Sequence, residues 1–338
     1  MFNNTRHPEM DMRVLVTGGS GFIGSNFIHT ILHLWEGVIS EDLGSKKVPI
    51  RDGGIRVLNV DKLTYASDER NLEGVENHPS YEFSQTDICD REEMSRIFDT
   101  FKPEYVIHFA AESHVDRSIE SGDVFVRTNV LGTQVLLDLA RETGIRKFVH
   151  VSTDEVYGSI MEGSFDEESR LSTSSPYSAS KAGSDLLALA HWKTYGTPVS
   201  ITRCTNNFGP RQHREKLLPK VITILNEGGK IPIYGDGSNI RDWLYVKDHC
   251  LALVKVMEEG SSGEIYNIGA QDEKTNLEIA DMLIQSFGKD RGSMEFVEDR
   301  AAHDWRYSVD DTKIRSIGWE PIFSFDEGLE MTKQWYLG

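Results

Sequence analysis

Arg13-Val14-Leu15-Val16-Thr17-Gly18-Gly19-Ser20-Gly21-Phe22-Ile23-Gly24 is the stretch on which the fold turns. Arg13 to Thr17 give a short apolar strand, and a helix-like run from Ser25 to Leu34 follows the glycines at once. Strand, glycine turn and helix in that order make a seat for a dinucleotide. Gly18, Gly21 and Gly24 allow a tight turn, a close approach of backbone to a pyrophosphate, and close packing of the helix on the strand. Amide donors and the positive end of the helix then face the phosphates. The glycine spacing alone is a weak signal; its strand-before, helix-after setting makes it a strong one.

Working outward, Arg56 to Val60, Tyr105 to Phe109, Phe148 to Val151 and Val199 to Thr202 are further short buried strands, with another around Tyr81 to Phe83. Helices are predicted over Glu92 to Phe101, Phe125 to Thr143 and Tyr177 to Tyr195. This alternation predicts an α/β protein with a Rossmann-type doubly wound parallel sheet. After about Asn206 turns become frequent, at Gly228-Gly229 and Gly235 to Gly237, and short strands mix with helices such as Asn276 to Phe287. A smaller mixed α/β substrate-binding lobe is expected there. The division is therefore a flexible leader over 1–12, an NAD-binding domain over 13–205, and a lobe over 206–338 from which part of the chain returns to the first domain. The polar insertion Glu36 to Gly54 reads as a lengthened surface loop.

The 338 residues, 38% hydrophobic and 27% charged, are enough to bury a sizeable core and argue against extended disorder. A formal charge of -18 argues against nucleic-acid or anionic-membrane partners, which need a positive field. Any polyanionic ligand must meet a local cationic pocket. Cys89, Cys204 and Cys250 are odd in number and widely spaced, which fits a reducing compartment and offers no zinc-type pairing, so no metal is expected. With no long apolar stretch and no signal-peptide core, the cytoplasm is the expected location.

The strand Arg56 to Val60 ends at Asp61, whose carboxylate suits an adenosine ribose and would repel a 2'-phosphate, so NAD is preferred over NADP. Gly24 and Asp61 lie further apart than the usual ~20 residues, and the insertion accounts for the excess. Lys62 stands beside Asp61, while Asp87-Ile88 is placed to border the adenine. After the strand Phe148 to Val151 come Thr153, Asp154 and Glu155, and further on Tyr177 and Lys181, four apart on one helical face. An ammonium there is expected to lower the phenol's pKa and to help hold the nicotinamide ribose, leaving Tyr177 to take a sugar hydroxyl proton.

The chain at this point resembles the extended short-chain dehydrogenase/reductases, and among them the dTDP-glucose 4,6-dehydratases. The likeness runs over 13–336 and includes VTGGSGFIGSNF, NVDKLTYA, HFAAESHVDRSI, STDEVYG, SPYSASKAGSDLL, RCTNNFGPRQHREKLLP, IPIYGDGSNIRDWLYVKDH and GEIYNIG. It implies a tightly held NAD that oxidises C4 of the hexose, loss of water across C5 and C6, and reduction at C6. By this resemblance Glu155 is the base at C5, Asp154 the acid at the departing C6 hydroxyl, Thr153 a donor at the C4 oxygen, and Tyr177 with Lys181 the oxidation pair. It adds Phe22, Ile23, Ala110, Ala111 and Thr128 to the cofactor site. It also implies a homodimer built on the helices at Phe125 to Thr143 and Tyr177 to Tyr195.

The nucleotide-sugar positions implied by the same likeness are Ser113, Asn206, Lys216, Leu217, Pro232, Tyr234, Arg241, Asn267, Arg300 and His303, with dTDP-glucose as the substrate. Arg241 and Arg300 are the natural diphosphate clamps, since guanidinium bonds phosphate oxygens in pairs. The run Arg300-Ala301-Ala302-His303 departs from the family's usual Arg-Pro-Gly-His. Glu112, His114 and Arg117 are expected near the hexose. A UDP-hexose 4-epimerase would share the cofactor and Tyr/Lys motifs but has no need of the Asp-Glu doublet. An NAD-sensing regulator without turnover would have no need of Tyr177 and Lys181.

Overall fold

The computed structural model describes residues 11–37, 48–298 and 304–338. The first ten residues of the expected leader, the centre of the insertion, and Arg300 and His303 lie outside them. Twelve strands run in chain order: β1 Met12–Thr17, β2 Ile55–Asp61, β3 Tyr81–Gln85, β4 Tyr105–His108, β5 Lys147–Thr153, β6 Val199–Cys204, β7 Asn206–Phe208, β8 Ile231–Tyr234, β9 Ile240–Tyr245, β10 Ile265–Ile268, β11 Glu273–Thr275 and β12 Met294–Val297.

Seven of them form one sheet in the order β10-β6-β5-β4-β1-β2-β3, parallel throughout. The reversal of strand order falls between β1 and β4, where an open α/β sheet offers a crevice at its carboxyl edge. Successive residues along each strand feed opposite cores. Val14, Val16, Ile107, Val149 and Val151 pack on one face, towards the helices Phe22–Glu36 and Val246–Glu259. Leu15, Val60, Val106, Phe148 and Ile201 pack on the other, with Leu136 and Ala140 of the helix Thr133–Thr143. Burial on both faces explains why these strands read as unbroken apolar runs.

The chain beyond residue 205 serves both parts of the molecule. β10 adds the last strand to the large sheet, pairing Ile265 with Ile201 and Ile268 with Cys204, and the helix Val246–Glu259 covers its face. The rest makes two small sheets, β11-β9-β7 and β12-β8, which stand beside the carboxyl edge. β7 begins two residues after β6 ends, so a single crossing carries Cys204 to Asn207 from one part to the other. Within the insertion, Arg51 donates its amide to the Leu34 carbonyl at 2.6 Å and pairs with Glu258 at 3.3 Å, which ties that loop back onto two helices.

The helix expected over Phe125 to Thr143 is interrupted in kind though not in course. Asp123–Phe125 is α-helical, Val126–Gly132 is a π-helix, and Thr133–Thr143 is α-helical again. Asn129 sits in the π segment; its side chain accepts from the Glu112 amide at 2.8 Å and donates to Ser180 Oγ at 2.8 Å. The wider turn brings a polar side chain between two elements that a regular helix would pass by.

In the glycine turn, Gly18 has φ +72°, and a Cβ there would lie 2.7 Å from the Ala110 amide nitrogen. At Gly24 a Cβ would lie 2.3 Å from the Gly18 carbonyl oxygen. The helix can start where it does only because Gly24 has no side chain. Gly24→Ala should therefore destabilise the protein by about 1–3 kcal/mol, measured by urea denaturation. An unchanged midpoint would mean that the helix is free to move off the turn.

Candidate active site

The carboxyl ends of the central strands open on a cavity of about 330 Å³. Gly18, Gly21, Phe22, Ile23 and Gly24 form one wall of it. The helix has Gly21 as its N-cap and no side-chain cap, so its first amides are left for a ligand. Asp61, at the end of β2, accepts from the Ser20 amide at 3.0 Å and the Leu63 amide at 2.8 Å. These bonds lock its carboxyl at the cavity rim while burial pushes its pKa up. Lys62 reaches across to Thr128 Oγ1 at 3.3 Å and lies 3.9 Å from the carboxylates of Asp87 and Glu112. Ile88, Ala110, Ala111, Ser113 and Thr128 line the same space. Asp87 does not: its carboxyl turns to the Cys89 amide, 2.9 Å away, because the residue opens the turn that precedes the next helix.

Thr153 ends β5 and caps the short turn Asp154–Val156, accepting from the Glu155 amide at 3.3 Å and donating to Asp154 Oδ1 at 3.3 Å. The extended strand thus stops where a hydroxyl can satisfy the first turn amide. Thr153, Asp154 and Glu155 all line the cavity. Asp154 is 3% exposed, and its Oδ2 makes no hydrogen bond among the described residues. Burial first, and the neighbouring Glu155 second, push its pKa well above the carboxylate range. Glu155 is only partly buried; burial raises it too, but Lys216 and Arg241 oppose the rise. The result is one carboxyl biased towards its protonated form beside another that ionises more readily.

Ser175 begins the helix Pro176–Tyr195 with a capping box to Ser178, which fixes Tyr177 in its first turn and Lys181 one turn on. Both line the cavity. The expected lowering of the phenol by the lysine is not what the structure shows. Burial and the Glu155 charge push Tyr177 well above its ordinary value, and Lys181 Nζ donates to the Val151 carbonyl at 2.8 Å. Burial in turn lowers Lys181 to about 8.

A second cavity, about 280 Å³, adjoins the first, and Glu155, Asn206 and Lys216 border both. Leu217, Pro232, Tyr234 and Arg241 line it as anticipated. Arg241 is held by the Asp304 carbonyl at 2.9 Å and lies over the Tyr307 ring at 4.4 Å, so its guanidinium is aimed before any ligand arrives. Glu112 and Ser113 face the first cavity and His114 the second, whereas Arg117 stacks on Tyr65 at 3.6 Å and approaches Glu215 at 3.5 Å.

Asn267 is not brought to either cavity. It lies on β10, the edge strand of the large sheet, where Oδ1 accepts from the Tyr157 hydroxyl at 2.8 Å and Nδ2 donates to the Phe165 carbonyl at 3.1 Å. Besides Asn206, the second cavity is lined by Asn276, the first residue of the helix Asn276–Ser286, set by the Thr275–Glu278 capping box. That box was legible in the sequence as a helix start. Asp304 and Tyr307 also line the cavity unannounced; Asp304 Oδ2 accepts from Ser174 at 2.6 Å and Tyr307 at 2.5 Å. No local pattern marks them, since they come from the segment that folds back over β9.

The profile of the GDP-mannose 4,6-dehydratase family matches residues 15–332. Over 327 residues the chain is 48% identical to the low-salt glycan biosynthesis protein Agl12 of Haloferax volcanii, covering 97% of this chain and 99% of that one. It is 46% identical to a dTDP-glucose 4,6-dehydratase of Streptomyces griseus, covering 97% and 94%. The crystal structure of DesIV, a dTDP-glucose 4,6-dehydratase from Streptomyces venezuelae with NAD bound, matches at a TM-score of 0.88 and 47% identity, covering 96% and 97%. A UDP-glucose 4-epimerase of Thermus thermophilus in complex with NAD matches at 0.85 with 28% identity, covering 97% and 99%.

The raised Asp154 has a consequence for stability. The folded state binds its proton more tightly than the unfolded chain does. That contribution is present below the unfolded aspartate value and is lost as pH rises through the folded one. At neutral pH the residue therefore costs stability, and the neutral isostere removes the cost. Asp154→Asn should raise the thermal midpoint near neutrality, with the gap closing as pH falls towards about 4. A gap independent of pH would contradict the assigned protonation.

Proposed function

The chain belongs to the nucleotide-sugar 4,6-dehydratase family, and from that premise we propose that it dehydrates dTDP-glucose to dTDP-4-keto-6-deoxyglucose with NAD as its resident cofactor. The observation that carries the reading is the pair Asp154 and Glu155, adjacent in the chain, unequal in electrostatic setting, and placed where the two cavities meet. The first cavity suits NAD: a glycine cradle that side chains would fill, uncapped helix amides, and a fixed Asp61 carboxyl for a ribose. The second, with Lys216 and Arg241, suits a diphosphate in a protein that is acidic overall.

NAD, when bound, supplies the oxidation at C4 and the reduction at C6, so the cycle has no net redox change. Tyr177 receives the C4 hydroxyl proton, and Thr153 donates to the C4 oxygen. The positive charge of Lys181, one helical turn on, offsets part of the penalty burial imposes on a phenolate. With a ketone at C4 the C5 proton is acidic, and Glu155 removes it. Asp154, which enters the reaction protonated, gives its proton to the C6 oxygen, which leaves as water. A 4-epimerase, the competing activity on this fold, has no step that needs a buried neutral carboxyl.

Parallel incubation with dTDP-glucose and UDP-glucose tests the reading. A product lighter by one water, formed fastest from dTDP-glucose, is expected; a product of unchanged mass would make the protein an epimerase. Glu155→Gln should suppress solvent-deuterium incorporation at C5 by about 10²–10⁴-fold, and undiminished exchange would remove Glu155 from this role. Tyr177→Phe should stop the reaction before C4 oxidation.

The finer assignments of partner and location rest on separate observations. The helical segments 123–143 and 176–195 pack together and expose Val126, Leu131, Leu186 and Tyr195, each at least 47% accessible. An apolar surface on two adjacent helices supports a homodimer formed by pairing them with their copies. All three cysteines are free, which supports a reducing, cytoplasmic setting. Among the described residues no helix is long and apolar enough to cross a membrane. Leu186→Glu should convert the dimer to a folded monomer by light scattering, and a wild-type protein that is already monomeric would end the dimer assignment.

A further inference from the structure

Beneath the cavity floor lies a polar cluster that touches neither ligand space. Asp185 is fully buried one helical turn beyond Lys181. Arg203 Nε donates to its Oδ2 at 2.9 Å, and His150 Nε2 lies 3.3 Å from its Oδ1. Arg203, 2% exposed, also donates through Nη1 to the Tyr157 hydroxyl at 2.8 Å, and that hydroxyl donates to Asn267. Tyr157 stands two residues past Glu155. The cluster therefore joins the helix that carries Tyr177 and Lys181 to the turn that carries the two carboxyls.

We propose that Asp185 is a positioning residue for Lys181: its carboxylate, oriented by Arg203, is the counter-charge that keeps the lysine an ammonium directed at the Val151 carbonyl. The proposal deepens the dehydratase reading, on which Lys181's catalytic use rests. Four elements present titratable groups to Lys181: Asp185 on its own helix, His150 on β5, Cys204 on β6, and His108 on β4. Both histidines are held neutral by burial, His150 at about 4 and His108 well below its ordinary value. Burial lifts Cys204 to about 12, which keeps it a thiol. Asp185 is thus the full charge of favourable sign that faces Lys181 from this cluster. Without it, burial alone would act on the lysine, in the direction of the neutral amine.

Holoenzyme with lysine labelled at Cε by an NMR-active carbon isotope gives the test, the Lys181 signal being the one missing in Lys181→Arg. In the wild type it should titrate near pH 8. In Asp185→Asn it should titrate lower by about one pH unit, and Asp185→Glu, which keeps the charge, should restore it. A merely structural role would reduce stability and leave the titration in place. If Asp185→Asn fails to fold, Arg203→Gln addresses the same claim from the opposite side: Arg203 competes with the lysine for the Asp185 carboxylate, so without it the signal should titrate higher. Unmoved midpoints, or failure of both variants to fold, would overturn the proposal and leave the pair a structural brace. The alkaline limb of the C4 oxidation rate should move with the NMR midpoint. Because the titration is read without turnover, an inactive wild type would count against the dehydratase reading and not against this one.

Discussion

Two carboxyls adjacent in the chain raise the cost of ionising one another once one of them is buried, and the arrangement of this molecule follows from that constraint. Asp154 is dehydrated at the end of a central strand, and one of its oxygens has no hydrogen-bond partner among the described residues. Glu155, one residue on, keeps access to the cavity and to the cations Lys216 and Arg241. The separation of their pKa values is produced by position alone, since the side chains differ by one methylene. An enzyme that must deliver one proton and remove another within one bound sugar needs two such groups at the same pH.

The parallel sheet makes this separation possible. Strands buried on both faces end together at one edge, and the reversal between β1 and β4 leaves a crevice there. β5 delivers Thr153 to Glu155 into that crevice, the following helix delivers Tyr177 and Lys181, and the crossing from β6 to β7 delivers Asn206. The second lobe then supplies Lys216 and Arg241. Its cations compensate locally for a chain with 54 acidic and 36 basic residues.

Legibility in the sequence followed the range of the interaction. The glycine turn, the strand ends and the capping boxes are made by residues near one another in the chain, so Asp61, Thr153, Tyr177 and Lys181 could be placed in advance. Where a side chain's fate depends on a remote partner, reading failed or fell silent. Asn267 looked like a ligand-binding residue until Tyr157 and Phe165, from a distant loop, were seen to occupy both ends of its amide. Asn276, which does reach the second cavity, carried only the mark of a helix start. The π-helical turn at Val126–Gly132 has no signature of its own, because its widening is set by what Asn129 bonds across the gap.

The amino-acid sequence by itself determined the doubly wound sheet and the dinucleotide turn, because hydrophobic period, glycine conformation and helix capping act over a few residues; the acid and base roles of Asp154 and Glu155 came from the family resemblance. Only the tertiary structure decided what makes Asp154 the harder of the two carboxyls to ionise, that Tyr177 is pushed up and not down, and that Lys181 answers to Asp185. Desolvation and charge interactions depend on what is packed around a group, and those neighbours come from strands and helices far apart along the chain.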